Sequence, residues 1–234
     1  MQIKYFNSKF DNIDHNINID EKISNLIEKI SSLNIISDND LLEETTNIAN
    51  DFKKNKEKII VFGTGGSNLG ARALVNVNLN ISLSLEFYDN IDPINFEKNF
   101  QNINFETTGF IIISKSGTTP ETLSQFSCLY QKATDASKVQ KFLSNTLIIT
   151  EYKESPLFTI AKENECLLLE HHKDIGGRYS VFTNVGLVPA IISGLNINQL
   201  FNGASEVINN IDKYRPYDLG KYLTCKDNAK FRNN

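Results

Sequence analysis

The sequence predicts an α/β protein, a doubly wound parallel five-stranded sheet of the flavodoxin-like kind, preceded by an N-terminal helical arm. Three observations predict it. Short apolar runs recur at Lys58–Phe62, Leu83–Tyr88, Phe110–Ile113, Thr146–Thr150 and Cys166–Leu169. Helical periodicities fill the intervals between them. Two of the runs, at Phe62 and Ile113, break off into polar loops rich in glycine and hydroxyl groups. Apolar runs with little alternation are what strands buried on both faces carry, and strands separated by helices are βαβ units.

Residues 1–50 form the arm. Ile19, Ile23, Leu26, Ile27 and Ile30 recur at helical spacing and predict a helix over Asp20–Ser32. A second helix is expected over Asp38–Lys54, capped by Asp38 or Asp40, with Ile48, Phe52 and Leu41 or Leu42 facing inward. His15 is isolated there and reads as a surface residue. The α/β domain spans 51–172. Its first strand runs into Gly63-Thr-Gly-Gly-Ser-Asn-Leu-Gly70, followed by a helix over Leu69–Asn78. Glycines there let the backbone approach a ligand, and Ser67 is placed both to cap the helix and to bond an oxyanion. The second strand ends at Asp89, and Pro93 with Phe96–Phe100 suggests a helix. The third strand leads into Ser114-Lys-Ser-Gly-Thr-Thr119, then Pro120 and a helix over Glu121–Ala133, with Thr118 or Thr119 as hydroxyl cap. Free N–H groups and the positive end of a helix dipole meet four hydroxyls and an ammonium in that loop, an arrangement suited to a phosphate dianion. A well-capped turn that binds nothing is the alternative on this loop alone. A fourth strand, a short helix over Leu157–Asn164 and a fifth strand complete the domain. Both polar loops fall at carboxyl ends of strands, where ligands of such sheets sit, and they are expected to share one crevice.

Composition narrows the function. The chain has 234 residues and a formal charge of −4, without basic runs, which argues against nucleic acid as a partner. Cys128, Cys166 and Cys225 lie far apart, as free thiols in a reducing compartment do, and offer no zinc site. The start lacks the apolar core of a signal peptide. The dense apolar stretch Val185–Leu195 is too short to cross a bilayer and reads as a buried helix. A soluble cytoplasmic protein with no membrane partner is expected. For the glycine loop, a P-loop is excluded because no lysine follows the glycines. A dinucleotide fingerprint fits Gly63 and Gly65, and Asp89 is spaced to bind a ribose, but Asn68 occupies the place of the third glycine.

Three segments together resemble the phosphoglucose isomerase family. They are Gly63–Gly70, Ser114-Lys-Ser-Gly-Thr-Thr-Pro-Glu-Thr122 and Gly176-Gly-Arg-Tyr-Ser-Val-Phe-Thr-Asn-Val-Gly-Leu-Val-Pro-Ala190. The resemblance covers roughly Lys58–Ala204. It implies a sugar-isomerase (SIS) fold, an expected homodimer, and interconversion of glucose 6-phosphate and fructose 6-phosphate with no metal or organic cofactor. A base moves a proton between C1 and C2 through a cis-enediol. By motif, Ser67, Ser114, Ser116 and Thr119 would hold the phosphate, helped by the amides of Lys115, Ser116, Gly117 and Thr118. Gly66 would let the sugar approach, and Arg178 would stabilise the enediolate. Without the motif, Arg178 would read as an ion-pair partner of Asp174 or Glu170. Ser116-Gly117 stands where many members have a threonine and an aromatic residue. The family's base, ring-opening histidine and late lysine lie beyond the arginine, and no matching motif follows Arg178 here. Residues 173–234 are therefore expected to hold the arginine motif, a buried helix and the truncated start of a second domain, with little turnover from this chain alone. A non-catalytic SIS module binding a phosphosugar is the alternative.

Overall fold

The computed structural model describes residues 27–78 and 83–210. The chain divides into two compact units. One is Ser37–Ile197; the other joins Met1–Ile36 to Asn198–Asn234. In the second unit, residues 27–29 are helical, the helix breaks at Ile30, and α1 (Ser31–Asn34) follows. The rest of the helix predicted over Asp20–Ser32 lies outside the described residues. Helix α9 (Ile197–Asn209) carries Glu206 and nearly all of its length belongs to this unit.

The larger unit is built on five parallel strands: β1 (Lys58–Phe62), β2 (Ser84–Tyr88), β3 (Thr108–Ile113), β4 (Thr146–Thr150) and β5 (Leu167–Glu170). Their order is β2-β1-β3-β4-β5. All of β3 and β4 is buried, which explains the unbroken apolar runs. Side chains alternate between two cores. Ile60, Phe62, Phe110, Ile112 and Ile148 join one cluster with Phe96 and Phe100 of α4 (Pro93–Phe100), Phe126 and Leu129 of α5 (Pro120–Asp135), Phe142 of α6 (Val139–Ser144) and Leu157 of α7 (Pro156–Glu163). The other face lies under α2 (Asn39–Phe52), α3 (Gly66–Val77) and α8 (Asn184–Ile192), and α8 packs against both of the others. Every residue of α8 is buried, as its uniform apolarity demands.

Two expectations need correction here. Asp38 caps α2 through Leu41 N at 2.9 Å, but the inward face is Thr45, Ala49 and Phe52, with Ile48 only half-buried. Thr45 can go inside because its hydroxyl bonds Leu41 O at 2.6 Å and Asn184 Oδ1 at 2.5 Å. Helix α3 starts at Gly66, three residues earlier than the sequence suggests, so Ser67 lies inside its first turn and is not its cap. The buried Asn68 side chain donates back to Gly63 O at 3.2 Å and closes the loop early.

Candidate functional site

The switch in strand order falls between β1 and β3, which pair with Phe62 beside Ile112. The loops leaving these neighbours are the two polar ones, and adjacent strands lie about 4.8 Å apart. They open into one cavity of about 440 Å³, lined by Thr64, Gly66, Ser67, Lys115, Ser116, Thr119, Glu151, Lys153, Gly177 and Arg178. A second hollow of about 390 Å³ lies against α4 and α5; it is mostly apolar, and its Lys132 pairs with Glu97 at 2.8 Å. It gathers none of the hydroxyls or glycines of the motifs.

A close backbone contact brings the third segment to the first two. A Cβ on Gly66 would lie 2.2 Å from Gly177 C and 2.6 Å from Arg178 N. Only glycine permits this approach, and it delivers the short 3₁₀ turn Gly177–Phe182 to the mouth of the glycine loop. Arg178 is exposed and has no ion pair among the described residues, so the pairing with Asp174 or Glu170 considered from sequence does not form.

The phosphate-type loop is held from behind. Ser114 is 2% exposed and shares a 2.8 Å hydrogen bond with the Thr119 hydroxyl, while its Oγ accepts from Gly117 N at 3.2 Å. Thr119 is the N-cap residue of α5, but its hydroxyl bonds Ser114 and no helix amide, so neither threonine caps the helix through its side chain. Gly117 has φ of +67°, and a Cβ there would fall 2.1 Å from Ser155 Oγ. Ser116 Oγ accepts from Thr118 N at 3.2 Å and Thr118 Oγ1 at 3.0 Å. Of the residues singled out by sequence, Gly66, Ser67, Lys115, Ser116, Thr119 and Arg178 thus line the cavity, while Ser114, Gly117 and Thr118 shape its wall from outside. The amides of Lys115 and Ser116 have no acceptor among the described residues, whereas those of Gly117 and Thr118 are used within the loop.

The sequence reading missed Glu151 and Lys153. Both follow β4 directly, and the rule that ligands gather at carboxyl ends of parallel strands was the signal for them. Glu151 Oε1 lies 3.4 Å from Lys115 Nζ, and Oε2 pairs closely with Lys153 Nζ. Burial alone would push the Glu151 carboxyl up, but hydrogen bonds and charge from Lys153 and Lys115 prevail and hold it below its ordinary value of 4.5. Behind the site His171 is fully buried, its Nε2 without a partner. Burial pushes it below its ordinary 6.5, so at neutral pH the imidazole is uncharged. Asp89 is engaged by Arg72 at 3.2 Å, and the Asn68 side chain fills the place where a dinucleotide's third glycine would stand. Among the described residues no group of three His, Cys, Asp or Glu is arranged to hold a metal. No described helix is long and apolar enough to cross a membrane.

Fold and cleft together define a SIS-type α/β protein with an anion-suited hollow at its switch point. The model of the phosphoglucose isomerase family matches residues 40–215, and the chain belongs to that family. It is 35% identical over 178 residues to a glucose-6-phosphate isomerase of Mesomycoplasma hyopneumoniae, covering 72% of this chain and 40% of the relative. A probable glucose-6-phosphate isomerase of Methanococcus maripaludis is 33% identical over 168 residues, covering 68% of this chain and 36% of the relative. The chain therefore spans well under half the length of these relatives. In fold it is similar to a hypothetical protein, TT0462, from Thermus thermophilus, with a TM-score of 0.75 at 21% identity, covering 87% of this chain and 53% of that one. A glucose-6-phosphate isomerase from Chlamydia trachomatis superposes with a TM-score of 0.61 at 20% identity, covering 71% of this chain and 32% of that one.

Proposed function

We propose that this chain is the phosphosugar-gripping part of an aldose–ketose isomerase that interconverts glucose 6-phosphate and fructose 6-phosphate. The observation that carries the reading is the gathering of Ser67, Ser116, Thr119 and Arg178 around one hollow in a chain of this family. The phosphate sits against the two loops, where the hydroxyls and the open amides of Lys115 and Ser116 donate to its oxygens. Arg178, unpaired at the rim, faces the carbon end of the sugar. As a base draws the C2 proton of the aldose, negative charge moves onto the C1 oxygen, and a fixed guanidinium beside that oxygen lowers the barrier. The C1 oxygen takes up a proton, the C2 hydroxyl gives one up as its carbonyl forms, and the proton drawn from C2 returns to C1, which leaves the ketose. The reaction balances without any redox partner.

Among the described residues no group is placed to act as the base. Of the described residues Glu151 is the one carboxylate lining the cleft, and it is held between two ammonium groups that keep it ionised and weakly basic. By resemblance the base lies beyond the arginine motif. The chain by itself then binds sugar phosphate and turns it over poorly. The same observation supports the second reading, a binding module that senses a phosphosugar without converting it. A coupled assay with fructose 6-phosphate, run beside thermal shift, tests both. Stabilisation with little turnover is expected, and turnover on the order of 10 s⁻¹ or more from the 234-residue chain refutes the assignment of the base elsewhere. Absence of any shift refutes phosphosugar binding. The homodimer implied by the resemblance is tested by sedimentation, and cytoplasmic residence by fractionation.

A further inference from the structure

Among the described residues three cations line the cleft, and they are not equivalent. An ammonium has three N–H donors. Lys115 uses all of its own inside the protein: Nζ donates to Lys173 O at 2.7 Å and to Ile175 O at 3.0 Å, and faces Glu151 Oε1 at 3.4 Å. It is a strut tying the end of β3 to the segment before Gly176. Lys153 meets Glu151 Oε2 alone, its side chain is 57% exposed, and its other two donors have no acceptor among the described residues. Arg178 has no side-chain partner among the described residues.

Charge counting separates them again. Lys115, Lys153 and Arg178 against Glu151 leave a net +2 in the cleft lining (three positive, one negative). Glu151 offsets one charge of the two lysines it lies between, and of these only Lys153 is free of carbonyl ties. A phosphate monoester carries roughly −1.5 to −2 at neutral pH. With Arg178 assigned to the sugar end, one mobile cation remains for the phosphate.

Resting on the proposed phosphosugar reading, we propose that Lys153 is a specificity-determining residue of this site. Its ammonium is parked on Glu151 when the cleft is empty and donates to the phosphate of the ligand when it is full. Lys115, the lysine inside the loop motif, contributes its amide and its structural tie and no phosphate-binding charge. Fructose without phosphate gains nothing from Lys153, so the residue selects phosphorylated sugars.

The test uses the 234-residue chain and two probes, inorganic phosphate and fructose 6-phosphate, titrated calorimetrically into wild type, Lys153→Met and Lys153→Arg at low and high salt. Lys153 is mostly exposed, so both variants are expected to fold, and circular dichroism checks this. A charge-assisted hydrogen bond contributes about 1.5–3 kcal/mol, or roughly 10- to 150-fold in affinity. Lys153→Met is expected to weaken both probes by that factor and to flatten the salt dependence, and Lys153→Arg to restore most of both. Equal fructose 6-phosphate affinity in wild type and Lys153→Met overturns this inference and leaves the phosphosugar reading intact. Lys153-dependent binding of inorganic phosphate with no binding of fructose 6-phosphate does the reverse. If wild type binds neither probe, both fall.

Discussion

Replacing Gly66 with alanine tests the contact that joins the arginine segment to the glycine loop. The new methyl carbon would lie 2.2 Å from Gly177 C, 2.5 Å from Gly177 O and 2.6 Å from Arg178 N. Carbon contacts are comfortable at about 3.5–4.0 Å. The two backbones must therefore part by about 1.3 Å or more, and neither is the free end of a side chain. Overpacking of this kind costs about 1–3 kcal/mol. Alanine's helix preference opposes it by about 1 kcal/mol at most, and less in a first turn. The net expectation is a loss of about 1–2 kcal/mol, or roughly 2–8 °C in Tm for a domain of this size. Gly176 is the control, one residue from Gly177. Its φ is −67°, and a Cβ there meets only Tyr179 Cδ2, at 3.6 Å, an ordinary contact. Gly176→Ala should be neutral, or stabilising by about 0.4–1 kcal/mol through the unfolded chain. Chemical denaturation of both variants reads stability, and fructose 6-phosphate titration reads the cleft. A misplacement near 1 Å is enough to cost about 10²-fold in a reaction that depends on position. Equal stability of the two variants would refute the close-approach argument, since nothing else in the motif distinguishes these glycines so sharply.

The remaining predictions concern titratable groups. His171 is held neutral by burial, with Lys115, Glu151 and His172 as its titratable neighbours, so the unfolded chain binds a proton the folded chain rejects. Stability should fall as pH drops below about 6.5, level off below the depressed folded value, and show a smaller slope in His171→Gln; parallel urea midpoints from pH 7.5 to 5 check this. Glu151 has a lowered folded value, so its contribution is present above its ordinary 4.5 and vanishes as pH falls through the folded one. Glu151→Gln should cost on the order of 1–2 kcal/mol at pH 7, less than a fully buried pair because Lys153 is exposed, and the cost should shrink as pH falls through the folded value. Cys166 is buried, and burial pushes its thiol up to about 11, while Cys128 is exposed. In a Cys225→Ser background, a thiol reagent at pH 8 should label Cys128 at once and Cys166 only on unfolding; two fast thiols would contradict the packing.

How far the sequence disclosed this protein depends on the distance over which each residue acts. The strands were legible because burial on both faces demands apolarity at every position, so Phe110–Ile113 announces itself without knowledge of its neighbours. Pro120 marked the start of α5 for an equally local reason, a fixed φ and no N–H to satisfy. The hydroxyl assignments were less secure because a hydroxyl's partner is a tertiary matter. Ser114 and Thr119 look alike in sequence, yet one is sealed inside the loop and the other lines the cleft. Helix α6 went unread, since six residues give no periodicity.

The lysines show the same limit at the level of chemistry. A motif reader places Lys115 in the site because it stands among the loop's hydroxyls. What removes its charge from service is two carbonyls 58 and 60 residues away and a carboxylate on the next strand. What brings Lys153 into service is the adjacency of β4 to β3, which places the residues after Thr150 beside those after Ile113. Neither fact is a property of the residue. A parallel sheet collects the ends of strands that are distant in sequence, so the positions just past each strand are candidates whether or not a motif surrounds them. In this chain the open amides, with the Ser116 and Thr119 hydroxyls, come from the loop after β3, while the cation proposed to complete the anion site comes from a neighbouring strand end, the one that carries Glu151 and Lys153.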